Sequence, residues 1–331
     1  MPDQPMHRND EPAFAGITTF GKLPLVLDAA DLAGVDVAIL GAPTDELVSY
    51  RPGTRFGPRA IRAGDPIGWS PPSMPNMDVG VDPFAVLTVV DHGDVPPVFG
   101  YPLQTHARLR EAVAAVCSAG AMPLVLGGDH SIAHPDAGAV AAHVAPEPLG
   151  LLHFDAHADD AYEEPRLSHG TPMRLLVEEG SLKGEHIVQI GLRGYWPPPS
   201  DFEWARQQGF RWHLMDEIHE RGMGPVMDDA LAALAGVPHV FLSVDIDVCD
   251  PAHAPGTGTP EPGGLTAREL LRAVRRIAIE MPLAGMEVVE VSPPYDHAEI
   301  TAMLAHRVIL EALSGIALRK LGRGPRPESS A

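Results

Sequence analysis

The segment Leu149–Asp159 reads LGLLHF followed by DAHAD. Its first six residues form a short apolar run bounded by turn formers. That is the pattern of a strand buried on both faces, as in a parallel sheet. Its last five residues place Asp155, His157 and Asp159 at alternate positions straight after the strand. Side chains alternate across an extended chain with period two, so the three groups point the same way if the extended geometry persists. In an open α/β sheet, ligands bind at the carboxyl ends of strands, which is where these groups fall.

Outward from this segment, apolar runs alternate with helical patterns. Further strands are expected at Val35–Leu40, Met122–Leu126, Ile187–Ile190, Phe210–Leu214, His239–Val244 and Leu283–Val289. Helices are expected at Ala107–Ser118, Ser131–Val144, Met173–Glu179, Pro225–Ala235, Thr266–Glu280 and His297–Leu318. Such alternation implies an α/β fold with a mainly parallel sheet and helices on both faces. Pro198–Pro199 and Pro293–Pro294 break whatever precedes them. No repeat and no Gly/Ser-rich linker divides the chain. The expected organisation is a loose arm over residues 1–16, one domain over 17–321 and a tail over 322–331.

The 331 residues are 45% hydrophobic, enough for a sizeable core. A formal net charge of −20 argues against nucleic acid and anionic membranes as partners, since both are bound through clustered Lys and Arg. The same field favours cationic ligands, or serves solubility alone. Two cysteines, Cys117 and Cys249, are too few for a disulfide scaffold or a Cys-based zinc site, in keeping with a reduced, cytoplasmic setting. Met1–Gly16 lacks the apolar region of a signal peptide, and no apolar run stands out as long enough to cross a bilayer.

Two more strands run into chemically active residues. One ends in GGDHS (127–131), the other in SVDIDVCDP (243–251). His130, Asp155, His157, Asp159, Asp245 and Asp247 therefore come from three strand ends. Burying four carboxylates together costs too much unless cations compensate. Four carboxylates and two imidazoles suit two divalent ions. Mn²⁺ is favoured over Zn²⁺ because no thiolate appears and oxygen ligands dominate; cellular availability keeps Ni²⁺, Co²⁺ and Zn²⁺ open. Asp-x-Asp before Asp-Pro is common turn chemistry by itself, so the weight lies in the three segments together.

GGDHS (127–131), FDAHAD (154–159) and SVDIDVCDPAHAPGTGTPEPGG (243–264) resemble the ureohydrolase (arginase/agmatinase) family. SYRPGTRFGPRAIR (49–62), SHGTPM (168–173), QIGLRG (189–194) and EVVEVSPPYDHAEIT (287–301) are similar to its agmatinase branch. Together they span roughly residues 35–315. The resemblance implies a three-layer αβα sandwich around a mostly parallel, eight-stranded sheet. It implies a binuclear Mn²⁺ site held by the same six residues, and a homotrimer or homohexamer. Ala158 departs from the Ser or Thr frequent in the family, at a position that is not a ligand.

The implied reaction is hydrolysis of a guanidino compound to urea and an amine. The guanidinium carbon is a poor electrophile, so water needs activation by the metals and the leaving amine needs a proton. By motif position, Asp159 holds the reacting water and passes a proton, His169 donates or relays one, Glu290 orients the guanidinium, and Thr259 adds a hydrogen bond. Each has a plainer reading: His169 as a turn histidine, Glu290 as a buried ion-pair partner. Asp129 and Asp250 read as turn caps or supports of the ligands, and His297 as a supporting residue. Most other histidines, His134 and His143 among them, read as surface or helix residues, and Cys249 as a small buried side chain. Arg51, Arg55 and Arg59 touch substrate, shape their loop or make subunit contacts.

The loop Asp160–Leu167 carries Asp160, Glu163 and Glu164 against Arg166. That favours agmatine, with its cationic tail. The alternative is a carboxylate tail such as 4-guanidinobutyrate held by Arg166, or unsubstituted guanidine. From a different class, a catalytically silent homologue acting as a binding or regulatory protein predicts loss of ligands or of His169 and Glu290. A histone-deacetylase-like amidohydrolase predicts a paired-histidine motif. The sequence shows neither.

Overall fold

The computed structural model describes residues 14–65, 75–162 and 166–324. Most of the expected arm and tail, and Glu163 and Glu164, lie outside the described residues. In chain order the elements are β1 (Val37–Ala42), α1 (Gly57–Ala63), β2 (Val89–Asp94), α2 (Pro102–Ser118), β3 (Met122–Gly127), α3 (Ala133–Val144), β4 (Leu149–Phe154) and α4 (Pro172–Glu178). They continue with β5 (Ile187–Leu192), α5 (Pro199–Gln208), β6 (Arg211–Leu214), α6 (Met215–Arg221), α7 (Met223–Ala233), β7 (His239–Asp245), α8 (Ala267–Glu280), β8 (Leu283–Val289) and α9 (Ile300–Lys320).

The eight strands form one sheet in the order β2-β1-β3-β8-β7-β4-β5-β6, and every pairing is parallel. Successive residues of each inner strand serve opposite faces. Leu124 and Leu126 enter one core with Phe154, Val244 and the α8 residues Leu270, Val274 and Ile277. Val125 enters the other with Leu40, Leu151, Phe241 and Val140 of α3. Burial on both faces removes water from the backbone, so the ladder has to satisfy every strand N–H and C=O. Helix α8 shows the local logic. Thr266 and Glu269 form a capping box at its start, and Leu270, Ala273, Val274 and Ile277 bury one stripe.

Four elements escaped the sequence reading. β2 (VVDHGD) is an edge strand whose acidic residues mask its pattern; Arg62 of α1 offsets them by pairing with Asp91 at 2.8 Å. Pro199 ends what precedes it and also opens α5, because proline's fixed φ suits the first helical turn. α1 and α6 have seven residues each, too few for a clear period. Helix α9 begins at Ile300, since Ala298 and Glu299 adopt left-handed backbone (φ 50° and 60°). α9 also corrects the reading of apolar runs. By length and composition it is sufficient for a membrane span, but 72% of that window is buried in the core. His306, Arg307 and Glu311 interrupt the run and hide it in the sequence.

Candidate metal centre and guanidinium site

Strands β3, β8, β7 and β4 are neighbours in the centre of the sheet, and their carboxyl ends carry all the candidate ligands. After β3 the chain turns at Gly128 (φ 33°), where a Cβ would sit 2.4 Å from the Ala42 carbonyl oxygen. Only glycine fits that approach. Asp129 then accepts from Ser131 N at 3.0 Å and caps the short turn that carries His130 inward. Burial, with Glu290 nearby, pushes the Asp129 carboxyl up to about 6.

His130 Nδ1 lies 3.0 Å from Asp155 Oδ2, 2.9 Å from Asp159 Oδ2 and 3.3 Å from Asp245 Oδ2. Despite those distances Nδ1 makes no hydrogen bond. A ring nitrogen with three carboxylate oxygens within 3.3 Å and a hydrogen bond to none of them is an arrangement that a shared cation would hold together. A second group lies alongside. His157 Nδ1 is 3.4 Å from Asp155 Oδ1 and 3.1 Å from Asp247 Oδ2. Asp155 thus gives one oxygen to each group. The ligand atoms of His130, Asp155 and Asp159, and those of Asp155, His157 and Asp247, each fall within 4.8 Å of one another.

The electrostatics agree. Burial lowers the pKa of His130, yet Asp155, Asp159 and Asp245 together raise it well above the usual imidazole value. Burial and the neighbouring Asp247 and Asp155 push Asp245 well up. The crowded carboxylates repel one another and attract positive charge, which divalent ions would supply.

The two acidic motifs reach this arrangement by a route that differs from simple strand alternation. The strand ends at Phe154, and Asp159 takes left-handed backbone (φ 49°). Asp155 and Asp159 therefore face His130 while His157 faces Asp247. Likewise β7 ends at Asp245, which caps the turn Ile246–Val248 by accepting from Asp247 N at 2.8 Å. That turn, not an extended chain, separates the two carboxylates.

A polar rung across the sheet supports the ligands. Gln189, His153, Ser243 and Glu287 are successive cross-strand neighbours on β5, β4, β7 and β8, and all four are fully buried. Gln189 Nε2 donates to the Ala158 carbonyl at 2.6 Å and lies 3.1 Å from His153 Nδ1. His153 Nδ1 is then the acceptor, so Nε2 carries the proton and donates to Asp155 Oδ2 at 2.8 Å. His153 thus stands with the His130, Asp155 and Asp159 group as a hydrogen-bond donor to Asp155. Ser243 Oγ holds His130 Nε2 at 2.8 Å. Sequence reading assigned none of these four; the signal was His153, two residues before Asp155 on the same strand face.

The opposite wall carries the remaining groups. Glu290 follows β8 in left-handed backbone (φ 62°), a costly conformation of the kind that concentrates at functional sites. Its Oε1 accepts from His130 N at 2.9 Å and meets His169 Nδ1 at 3.0 Å. Its Oε2 is buried without a partner, and a Cβ at Gly258 would stand 3.5 Å from it. Gly258 leaves room beside an unpaired carboxylate oxygen. The Thr259 hydroxyl donates to Asp247 Oδ2 at 3.3 Å, so it holds a candidate ligand. His169 Nε2 faces Ser49, 2.7 Å from Oγ and 2.9 Å from N.

Asp250 caps its loop by accepting from Ala252 N and Gly263 N, as expected. His143 and His297 are exposed, and His134 pairs with Glu179 at 2.8 Å. His297 does not join the site. Arg55 pairs with Asp45, which also holds Gly53 N at 2.7 Å, so Arg55 shapes its loop. Arg59 is exposed on α1. The Arg51 guanidinium lies 5.1 Å from the Tyr50 ring centre and 5.2 Å from that of Tyr295. Arg166 pairs with Glu178. Cys117 and Cys249 are free and buried, with burial pushing their thiols up to about 11 and about 12.

A sequence model described as the Arginase family matches residues 35–315. The chain belongs to the arginase family. The family's members are hydrolases acting on guanidino C–N bonds. Guanidinobutyrase of Pseudomonas aeruginosa is 40% identical, over 94% of this chain and 95% of its own. The mitochondrial agmatinase of Gallus gallus is 38% identical, over 90% and 85%. The solved structure of proclavaminate amidino hydrolase from Streptomyces clavuligerus superposes with a TM-score of 0.84 at 38% identity, covering 93% of this chain and 100% of that one. The arginase-family fold is thus the fold of this chain.

Proposed function

We propose that this arginase-family protein uses a pair of divalent ions, Mn²⁺ by the oxygen-rich donor set, to hydrolyse an ω-guanidino carboxylate to urea and an ω-amino acid. The observation that carries the hydrolytic reading is His130 Nδ1, ringed by three carboxylate oxygens and hydrogen-bonded to none. His130, Asp155, Asp159 and Asp245 would hold one ion, and Asp155, His157 and Asp247 the other. When bound, the ion pair supplies an activated water.

The chain's own residues do the rest. Glu290 Oε2 accepts from the planar guanidinium beside Gly258 and sets the carbon facing the ions. Asp159 orients the water and takes a proton from it. A C–O bond forms and the C–N bond to the tail breaks; Asp159 passes on one water proton, the other leaves to solvent, and the leaving nitrogen gains two protons, giving R–NH₃⁺ and neutral urea. His169, held by Glu290 Oε1, supplies one of them. Thr259 keeps Asp247 in place.

The tail is read from Arg51. Its guanidinium stacks on Tyr50 and Tyr295 and has no acidic partner among the described residues, so it is free to bind a carboxylate. Arg166 is engaged by Glu178. Asp160 is fully buried, so it offers no exposed charge to a cationic tail. Agmatine is the second reading, favoured by the overall charge of −20. A urea-release panel of 4-guanidinobutyrate, 3-guanidinopropionate, agmatine, arginine and guanidine, with Mn²⁺ and then Ni²⁺, decides. Turnover of the two guanidino acids is expected. Urea from agmatine alone would reverse the tail assignment, and no urea from any compound would remove the enzymatic reading. The same reading carries a cytoplasmic homotrimer or homohexamer, checked by light scattering.

A further inference from the structure

The geometry points to Ser49 as the proton relay of His169: its hydroxyl carries the proton between His169 Nε2 and the mouth of the site. This rests on the role given to His169 above. Ser49 is exposed, whereas His169 sits behind it with both ring nitrogens engaged, Nδ1 by Glu290 and Nε2 by Ser49.

Two groups of Ser49 meet the same nitrogen. The backbone N–H at 2.9 Å can only donate, so it suits a neutral ring with a lone pair on Nε2. The hydroxyl at 2.7 Å can donate to that lone pair or accept from Nε2–H. The hydroxyl alone therefore accommodates both protonation states without moving the loop. The loop is fixed independently: His169 N donates to the Leu47 carbonyl at 3.1 Å, and Leu47 N donates to Asp129 Oδ2 at 3.4 Å. Transfer is balanced at each atom. The Nε2–H proton bonds to Oγ as the hydroxyl's own proton leaves for the departing nitrogen or for water at the mouth. The return step refills Nε2 from solvent.

The charges facing His169 are Glu290 after β8, Asp159 after β4 and Asp129 after β3. Against the lowering effect of burial, they favour the imidazolium. The imidazolium needs an acceptor at Nε2, and Ser49 Oγ is the acceptor present. In Ser49→Ala, Nε2 faces only a donor, so the neutral ring gains.

The test uses the metal-loaded protein. Diethyl pyrocarbonate labelling of His169, followed by mass spectrometry across pH, gives the midpoint of its titration without any turnover. We expect Ser49→Ala to lower that midpoint by one unit or more and Ser49→Thr to restore it. With 4-guanidinobutyrate, Ser49→Ala should lose at least tenfold in kcat with KM within twofold. Added imidazole should recover its turnover and leave the wild type unchanged. An unchanged midpoint in Ser49→Ala overturns the proposal. So does a fall in kcat that neither threonine nor imidazole rescues. A wild type that releases no urea from any guanidino compound sinks the functional reading instead, and the labelling midpoint still decides Ser49.

Discussion

Gln189 and His153 sit opposite each other on β5 and β4, and the 3.1 Å contact from the amide nitrogen to Nδ1 fixes which way the histidine proton points. Through His153 Nε2 the consequence reaches Asp155, the carboxylate shared by both ligand groups. The register of two strands thereby orients a ligand one rung further along the sheet.

His153→Asn removes the donor to Asp155. Residues that orient metal ligands in this way are worth roughly 10–100-fold in metal affinity. Titration with Mn²⁺ should show that loss with the stoichiometry kept at two. Unchanged affinity would mean that Asp155 is held by its backbone alone.

Glu290→Gln keeps the shape of the side chain and removes the charge that pairs with the guanidinium. We expect kcat/KM to fall by at least ~100-fold, since a charge-assisted hydrogen bond at a buried site is worth about 1.5–3 kcal/mol and its loss leaves further groups unpaired. His169→Ala should slow turnover while metal content stays near two. Because burial lowers and Glu290 raises the His169 pKa to about 9, turnover that needs the imidazolium should decline above that pH. A rate still rising at pH 10 would assign the proton to another group.

Arg51→Ala should raise KM for 4-guanidinobutyrate about tenfold to hundredfold, the equivalent of one charge-assisted pair. Agmatine, without a carboxylate, should be unaffected or bound better. Equal effects on both substrates would mark Arg51 as a loop-shaping residue.

His106 gives a pH dependence of stability. Burial first, then His134 and Arg110, lower its pKa to about 4, and its Nε2 meets Ser131 Oγ at 3.0 Å. The unfolded chain titrates near 6.5, so between those values the unfolded state binds the extra proton. The contribution is fully present above about pH 6.5 and is lost as pH falls toward 4, roughly 3 kcal/mol in all. Urea unfolding at pH 8 and pH 5 should show the wild type losing more stability than His106→Gln. Parallel losses in both would assign the acid sensitivity elsewhere.

Asp155, His157 and Asp159 were legible because a buried strand ran straight into them, and the all-parallel sheet followed from the same alternation of strands and helices. The path to convergence was not legible. It depends on left-handed backbone at Asp159 and Glu290 and on the turn after Asp245, and local sequence does not encode such positions when the residue is not glycine. Gln189, Ser243 and Glu287 were invisible for another reason. Each matters through its neighbour on the next strand, and strand order is a property of the whole chain. β2 was hidden because Arg62, far along the sequence, offsets its Asp91.

On the proposed reading, six side chains from three strand ends hold two metal ions, with Asp155 shared between them. Metal analysis of the Mn²⁺-equilibrated protein and two variants tests it directly. Two ions per chain are expected in the wild type, one in His157→Ala and fewer than one in Asp155→Asn. A wild type that takes up no divalent ion, or an Asp155→Asn variant that keeps both, would contradict it.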